Sequence, residues 1–321
     1  MERVLLKIEN LRTYFYTYEG VVKALEGVNL TVNEMDTVGL VGETGCGKSV
    51  TALSVLQLVP NPGKIVGGEI YFKGTNLLAL SETGIRKIRG KEIAMVFQDP
   101  KTYMNPILTI GEQIKETIML HQKISKEEAR EKTVESLNLV RMPYPEKIVD
   151  QYPHELSGGM RQRAMIAMAL SCNPDLLILD EATTALDVTI QAQILQLLNE
   201  LKKEMKHSLL IITHDLGVVA ENCDKVAVMY AGVVIEKAET KKLFKKPLHP
   251  YTTGLLNAIP KIQEDVEMLK IIPGMVPNLI NPPTGCRFNP RCPFAKEICI
   301  RDKPEMVKVE PDHFVECHLY S

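Results

Sequence analysis

From residue 4 to about 96, apolar and polar positions alternate in short runs broken by turns, the pattern of half-buried strands. From about 100 to 155 the texture is charged and strand-poor, and Ser125-Lys126-Glu127-Glu128-Ala129-Arg130-Glu131-Lys132 has the pattern of a solvated helix face. Strand-like runs return at 176–179, 208–213 and 226–230. Between the first two of these, Ile190, Ile194, Leu197, Leu198 and Leu201 recur at helical spacing, which predicts a helix with one apolar face. Buried strand alternating with helix implies an α/β fold, a parallel sheet covered on both faces. Beyond about 245 the chain turns proline-rich, with Pro247, Pro250, Pro260, Pro273, Pro277, Pro282, Pro283, Pro290 and Pro293, and reads as a separate loop-rich extension.

The strand-like run Thr37-Val38-Gly39-Leu40-Val41 leads into Gly42-Glu43-Thr44-Gly45-Cys46-Gly47-Lys48-Ser49, and a helix-like run leads out. Glycines at these spacings let the backbone curl so that successive N–H groups point at one anion. In that setting Lys48 is expected to reach the β- and γ-phosphates of a nucleotide, and the Ser49 hydroxyl to ligate Mg²⁺. A glycine-rich turn with a solvated lysine would share the composition but not the strand–loop–helix context. The chain is read as a nucleotide binder. Cys46, beside Lys48 and a nest of N–H groups, is expected to be a reactive thiol of depressed pKa, or else simply a small residue that fits the loop.

Leu176-Leu177-Ile178-Leu179-Asp180-Glu181 is an apolar strand ending in two carboxylates. Such a strand would deliver Asp180 to Mg²⁺, while Glu181, pointing elsewhere, can orient or deprotonate an attacking water. Many buried strands end in an acid, but the position downstream of a phosphate loop favours the catalytic reading. In Leu156-Ser157-Gly158-Gly159-Met160-Arg161-Gln162-Arg163, Ser157 is a candidate N-cap, and Met160, Ala164 and Met168 recur every four residues after it. A capped helix start bearing Gly158 and Gly159 is a second anion site, and one nucleotide rarely needs two cradles in one chain.

At 321 residues the chain has room for two or three domains. A net charge of −2 gives no broad basic footprint, so no nucleic-acid partner is expected. No apolar run approaches the roughly 18 residues that a membrane span needs. Met1-Glu2-Arg3-Val4 opens into strand-like sequence without a signal-peptide pattern. The expectation is a cytosolic protein that works at a membrane only by docking onto something that spans it.

Together these motifs resemble the ATP-binding cassette family from about residue 5 to 250, whose signature is Leu-Ser-Gly-Gly followed by a Gln/Arg-rich helix. The resemblance implies a P-loop NTPase core over 1–97 and 165–245, an inserted helical signature subdomain over 98–164, and a Cys-containing extension over 246–321. It implies ATP as substrate and cassettes paired head to tail, so that Ser157 and Gly159, with Gly158 between them, complete the site of the partner. It places Gln98, in Val96-Phe97-Gln98-Asp99-Pro100, in the Q-loop that senses Mg²⁺ and water. Asp187, in Ala185-Leu186-Asp187, matches the D-loop, and His214 matches the switch histidine. Phe15 stands where the family has an adenine-stacking aromatic, with Tyr14 and Tyr16 as neighbours. Ala182 replaces the usual proline after the catalytic glutamate, which frees one torsion and leaves the chemistry intact.

The extension narrows the resemblance. Lys246-Pro247-Leu248-His249-Pro250-Tyr251-Thr252-Thr253-Gly254-Leu255, Pro282-Pro283-Thr284-Gly285-Cys286-Arg287-Phe288 and Arg291-Cys292-Pro293 are similar to the tails of importers in the oligopeptide/dipeptide/nickel group. Such an importer implies a second ATPase subunit (another copy or a paralogue), two transmembrane permease subunits and an extracytoplasmic solute-binding protein. The chain would then sit on the cytoplasmic face of the membrane and power uptake of di- or oligopeptides. Oligosaccharide or nickel is the alternative cargo, because the ATPase never touches it. A soluble cassette ATPase acting on ribosomes or DNA is more distant, since the chain has one cassette and no long coiled-coil insertion.

Of seven cysteines, Cys286, Cys292, Cys299 and Cys317 crowd the end of the chain. In a reducing compartment such a cluster points to metal or redox chemistry. The spacings lack the close pair that structural zinc prefers and do not follow ferredoxin runs, so zinc, free thiols and disulfides stay open. Some members of this transporter group are similar and carry a 4Fe-4S cluster on these four positions. That resemblance leads to the expectation of an iron–sulfur cluster here, folding a tail with little core of its own.

Overall fold

The alternation at the start of the chain forms two long antiparallel strands, β1 (Val4–Thr17) and β2 (Gly20–Asn33), paired from Val4↔Asn33 to Thr17↔Gly20. Leu6 and Ile8 are buried, and so are Leu11 and Thr13, which means the inward phase slips by one residue between the two pairs. Asn10 absorbs the slip with a φ of 48°, a bulge that keeps both halves of the strand apolar-inward. This computed structural model describes residues 3–182, 187–259 and 272–321. They divide into two units, Met1–Ala79 with Ile211–Ser321, and Leu80–Leu210.

In the first unit, β3 (Thr37–Val41) leads through a glycine-rich turn into α1 (Lys48–Val55). Then β4 (Gly63–Phe72) and β5 (Thr75–Asn76) complete a sheet in the order β2-β1-β4-β5. The second unit contains α2 (Glu82–Arg86), β6 (Ile93–Val96), α3 (Pro100–Tyr103), α4 (Ile110–His121) and α5 (Lys126–Leu139). It continues with α6 (Pro145–Ile148), α7 (Gly158–Leu170), β7 (Leu176–Asp180) and α8 (Val188–Met205). Helices α4 and α5 each open on a capping box, Thr109 with Glu112 and Ser125 with Glu128, so local sequence sets where they begin. They pack on each other and on α7 through buried Ile110, Ile114, Ile118, Ala129, Leu137 and Ala164. Strands β6 and β7 pair in parallel, from Ile93↔Leu176 to Val96↔Leu179.

Strand β8 (Ser208–Thr213) carries the chain back to the first unit. There follow α9 (Leu216–Asn222), β9 (Lys225–Tyr230), β10 (Val233–Glu239), α10 (Thr240–Lys245) and α11 (Pro250–Asn257). The last elements are α12 (Glu297–Arg301), β11 (Met306–Glu310) and β12 (His313–Glu316). Strand β3 is buried throughout and runs parallel to β9, the continuous apolar run of a strand covered on both faces. Beyond β9 the order continues through β10 to β12 and β11, all antiparallel. The proline-rich tail is therefore more than loops: it extends this unit's sheet. Leu248, Val315 and Cys317 form a small core there with Val307 and Val309. Glu236 on β10 is fully buried and accepts from the backbone N–H groups of Leu248 and His249, both at 2.8 Å, and lies 2.7 Å from His313 Nε2 on β12. One carboxylate thus ties β10, the lead into α11 and β12 together. Among the described residues no helix is long and apolar enough to cross a membrane.

Candidate functional site

The chain leaves β3 at Gly42 with a φ of 153°, and a Cβ there would lie 2.1 Å from the Met229 carbonyl oxygen on β9. Only glycine fits so close a backbone approach. Gly47, at φ 107°, is the N-cap of α1, which starts without a side-chain cap and so presents backbone N–H groups as anion-binding helices do. Lys48, the first residue of α1, is 4 % exposed, and its ammonium donates to the carbonyls of Gly42 at 2.8 Å and Glu43 at 3.1 Å. The lysine is folded back over the loop that residues 42–47 make. A curl of backbone with a cation held across it fits a phosphate chain.

Cys46 requires a correction. It is fully buried, and burial pushes its thiol up in spite of the nearby Lys48. The thiol is not the reactive, depressed group that a loop position suggests, because the side chain points into the protein. Its backbone carries the structural role, the carbonyl accepting from Gly232 N–H at 2.8 Å.

In the second unit, the pairing of β6 with β7 sets the residues just beyond their ends side by side. Gln98 Nε2 donates to Glu181 Oε2 at 2.9 Å. Glu181 takes a left-handed φ of 46°, directly after Asp180, which is 7 % exposed at the end of β7. A glutamate held in that sparsely populated region, with its carboxylate gripped by an amide, is typical of a functional site. Ser157 caps α7, its hydroxyl accepting from Met160 N–H at 3.3 Å. Ser157 and Gly158 are exposed, and a Cβ on Gly159 would stand 3.0 Å from Ile190 Cγ2 on α8. Asp187 is exposed and caps α8, accepting from Ile190 N–H at 3.0 Å, while Ala185 and Leu186 of the same motif lie outside the described residues.

His214 follows β8 in the first unit and is exposed, and Asp215 after it caps α9. Phe15, half-buried on β1, lies two residues from Thr13, whose hydroxyl is 3.0 Å from Ser54 on α1. Alternation puts Phe15 on that same side of the strand, toward the helix that starts at Lys48. Tyr14 points the other way and donates to Glu26, and Tyr16 lies under the Lys64 ammonium.

Two residues that motif reading missed reach the phosphate loop from the tail. Tyr251 on α11 is fully buried, and its hydroxyl accepts from Glu43 N–H at 2.9 Å. Arg291 forms an ion pair with the Glu43 carboxylate at 2.8 Å. Both stand inside stretches that resemble importer tails, but no one-dimensional pattern shows that they return to a loop 208 and 248 residues earlier. Tyr251 also joins a ring cluster with Tyr230 and Phe288, at centroid distances of 4.7 and 5.4 Å. That packing seats the tail on β9.

The iron–sulfur expectation is overturned. Among the described residues no three His, Cys, Asp or Glu side chains are grouped as a metal site requires, and all four tail cysteines are free thiols. Their side chains serve other ends. Cys317 packs with Leu248 and Val315, and Cys299 Sγ accepts from Lys296 N–H at the start of α12. Burial, helped by the neighbouring thiols, pushes the Cys286 thiol up to about 11.

The model of the ABC transporter family matches residues 25–184, and that of the oligopeptide/dipeptide transporter C-terminal region matches residues 235–299. The chain is 53 % identical over 316 residues to the probable peptide ABC transporter ATP-binding protein y4tR of Sinorhizobium fredii, covering 98 % of this chain and 94 % of that protein. The chain belongs to the ABC transporter ATP-binding proteins. It is also 50 % identical over 318 residues to the oligopeptide transport ATP-binding protein AppD of Bacillus subtilis, covering 99 % of this chain and 97 % of that one. Among solved structures, the dimeric cassette MJ0796 in a post-hydrolysis state bound to ADP and Pi superposes with a TM-score of 0.66 at 29 % identity. That match covers 73 % of this cassette and 98 % of its neighbour. The cassette is an ATPase of the P-loop fold.

Proposed function

We propose that this cassette hydrolyses ATP to power the import of di- or oligopeptides by a membrane-embedded ABC transporter. The observation that carries the reading is the joining, in one chain, of a complete set of cassette motifs to a tail matching the oligopeptide/dipeptide C-terminal region. Residues 42–49 hold the triphosphate, with Lys48 across it and Phe15 against the base. Glu181 is the general base: the Gln98 amide, donating to Oε2, holds the carboxylate in place to take a proton from the attacking water. Mg²⁺ would be held by the Ser49 hydroxyl, the Asp180 carboxylate and the Gln98 amide. When bound, the ion neutralises charge that develops on the phosphates.

Ser157, Gly158 and Gly159 form an anion-binding helix start, and Ser157 and Gly158 are exposed in the single chain, which suits a signature that completes the site of a second cassette. Asp187 and His214 belong to the same paired arrangement, as linker and switch. The partners are a second ATPase subunit, two permeases and an extracytoplasmic binding protein, with the cassette on the cytoplasmic face. The test is reconstitution. The complex that co-purifies with the tagged chain is placed in vesicles, and uptake of a labelled peptide is measured with ATP on the cassette side. ATP-dependent uptake supports the reading. Absence of membrane subunits from the purified complex contradicts it.

A further inference from the structure

Glu43 is an unexpected residue for an anion site. Its carboxylate stands on the phosphate loop, 28 % exposed, where an unpaired negative charge would repel a triphosphate. The tail cancels it. Arg291 meets the carboxylate with two prongs, Nη1 to Oε2 at 2.8 Å and Nη2 to Oε1 at 3.1 Å. The Arg291 side chain is 6 % exposed and held on every side. Its Nε donates to the Pro273 carbonyl at 2.9 Å, its Nη2 to the Ile272 carbonyl at 3.2 Å, and its guanidinium lies over the Tyr230 and Phe288 rings. Such a fork cannot be reproduced by an ammonium, which is a point charge on a flexible stem. The Tyr251 hydroxyl fixes the Glu43 backbone at the same place. A second tail residue, Arg287, donates to the Ala231 carbonyl, and the next residue, Gly232, donates to the Cys46 carbonyl at 2.8 Å. The loop is therefore braced at both Glu43 and Cys46 by contacts that lead into the tail.

We infer that Arg291 is a positioning residue for ATP binding: it neutralises and fixes Glu43, so the affinity of the phosphate loop depends on the docked tail. The inference rests on residues 42–49 holding the triphosphate. A cassette whose tail is displaced keeps its catalytic groups but binds ATP weakly, which gives the extension a role in the ATPase cycle.

The experiment is steady-state ATP hydrolysis by the intact transporter complex carrying R291Q, R291K, E43Q or E43Q with R291Q. R291Q is expected to raise the KM for ATP about tenfold with kcat within about twofold, and R291K to fall between it and the unsubstituted protein. E43Q serves as its own baseline: in that background R291Q shifts KM by less than about twofold, because the charge that needed cancelling is gone. A purely structural Arg291 predicts instead that R291Q raises KM as much in the E43Q background as it does alone, and that result overturns the inference. An unchanged KM in R291Q overturns it as well. Should R291Q not fold, R291K carries the test, with a raised KM that E43Q abolishes expected and a KM that E43Q leaves raised contradicting it. Lys48→Ala in the same assay separates the two levels. If it binds ATP normally, the phosphate-loop reading itself fails. If it loses ATP while R291Q is silent, only the role of Arg291 falls.

Discussion

Replacing Glu236 by alanine removes one buried carboxylate and leaves three buried groups without their acceptor. They are the Leu248 and His249 N–H groups, each 2.8 Å from the carboxylate, and His313 Nε2 at 2.7 Å. Orphaning a buried donor costs about 1–3 kcal/mol, so the two backbone groups and the imidazole together account for about 3–9 kcal/mol. That is a large part of the roughly 5–15 kcal/mol that holds a typical domain together. The loss falls where β12 and the lead into α11 meet β10, so the tail should release before the rest of the unit unfolds. Glu236→Gln keeps the volume but turns an amide NH₂ toward one of the donors, and should cost about 1–3 kcal/mol. The chain has no tryptophan, so far-ultraviolet circular dichroism in urea is the natural stability assay, with amide exchange in β12 as the local readout. Because the tail carries Tyr251 and Arg291, the KM for ATP should rise in parallel. A Glu236→Ala protein within about 1 kcal/mol of the original, with β12 amides still protected, would refute the argument that this carboxylate joins tail to sheet.

Glu181→Gln should lower ATP turnover by about 10²–10⁴-fold while ATP binding persists, and turnover near the original rate would remove Glu181 from its role as base. His249 is held by burial at about 4, below its ordinary 6.5, beside the buried Glu236. The unfolded chain then takes up that proton first, so this contribution to stability is complete above about pH 6.5 and is lost as pH falls toward 4, by up to about 1.4 kcal/mol per pH unit. Urea melts across that window should show the slope, and His249→Asn should flatten it. In native protein treated with N-ethylmaleimide, buried Cys46, Cys223 and Cys317 should label more slowly than half-buried Cys172 and Cys292, as read by peptide mass mapping. Rapid labelling of Cys46 would restore the reactive thiol.

The parts of this cassette that sequence made legible are those in which chemistry is local. The glycine spacing of 42–49, the buried run into Asp180 and the capped start at Ser157 each state their geometry within a few residues, and the family they imply is the one to which the chain belongs. What escaped is set by distance along the chain. The proline-rich tail reads as loops, yet β11 and β12 find their partner in β10, and the short strands 306–310 and 313–316 carry too little periodicity to declare themselves. Tyr251 and Arg291 are ordinary residues until the fold returns them to Glu43. Cys46 misled because loop position suggests exposure, whereas the fold turns its side chain inward. The tail cysteines misled because spacing cannot report that Cys317 is spent on packing and Cys299 on a helix start.

The central claim, that this ATPase serves peptide import, is tested most directly by ATP hydrolysis in the reconstituted complex with its binding protein, offered short peptides, oligosaccharides and nickel in turn. Stimulation by peptides, abolished by Glu181→Gln, is the predicted result. Stimulation by a sugar or by nickel with none by peptides would contradict it.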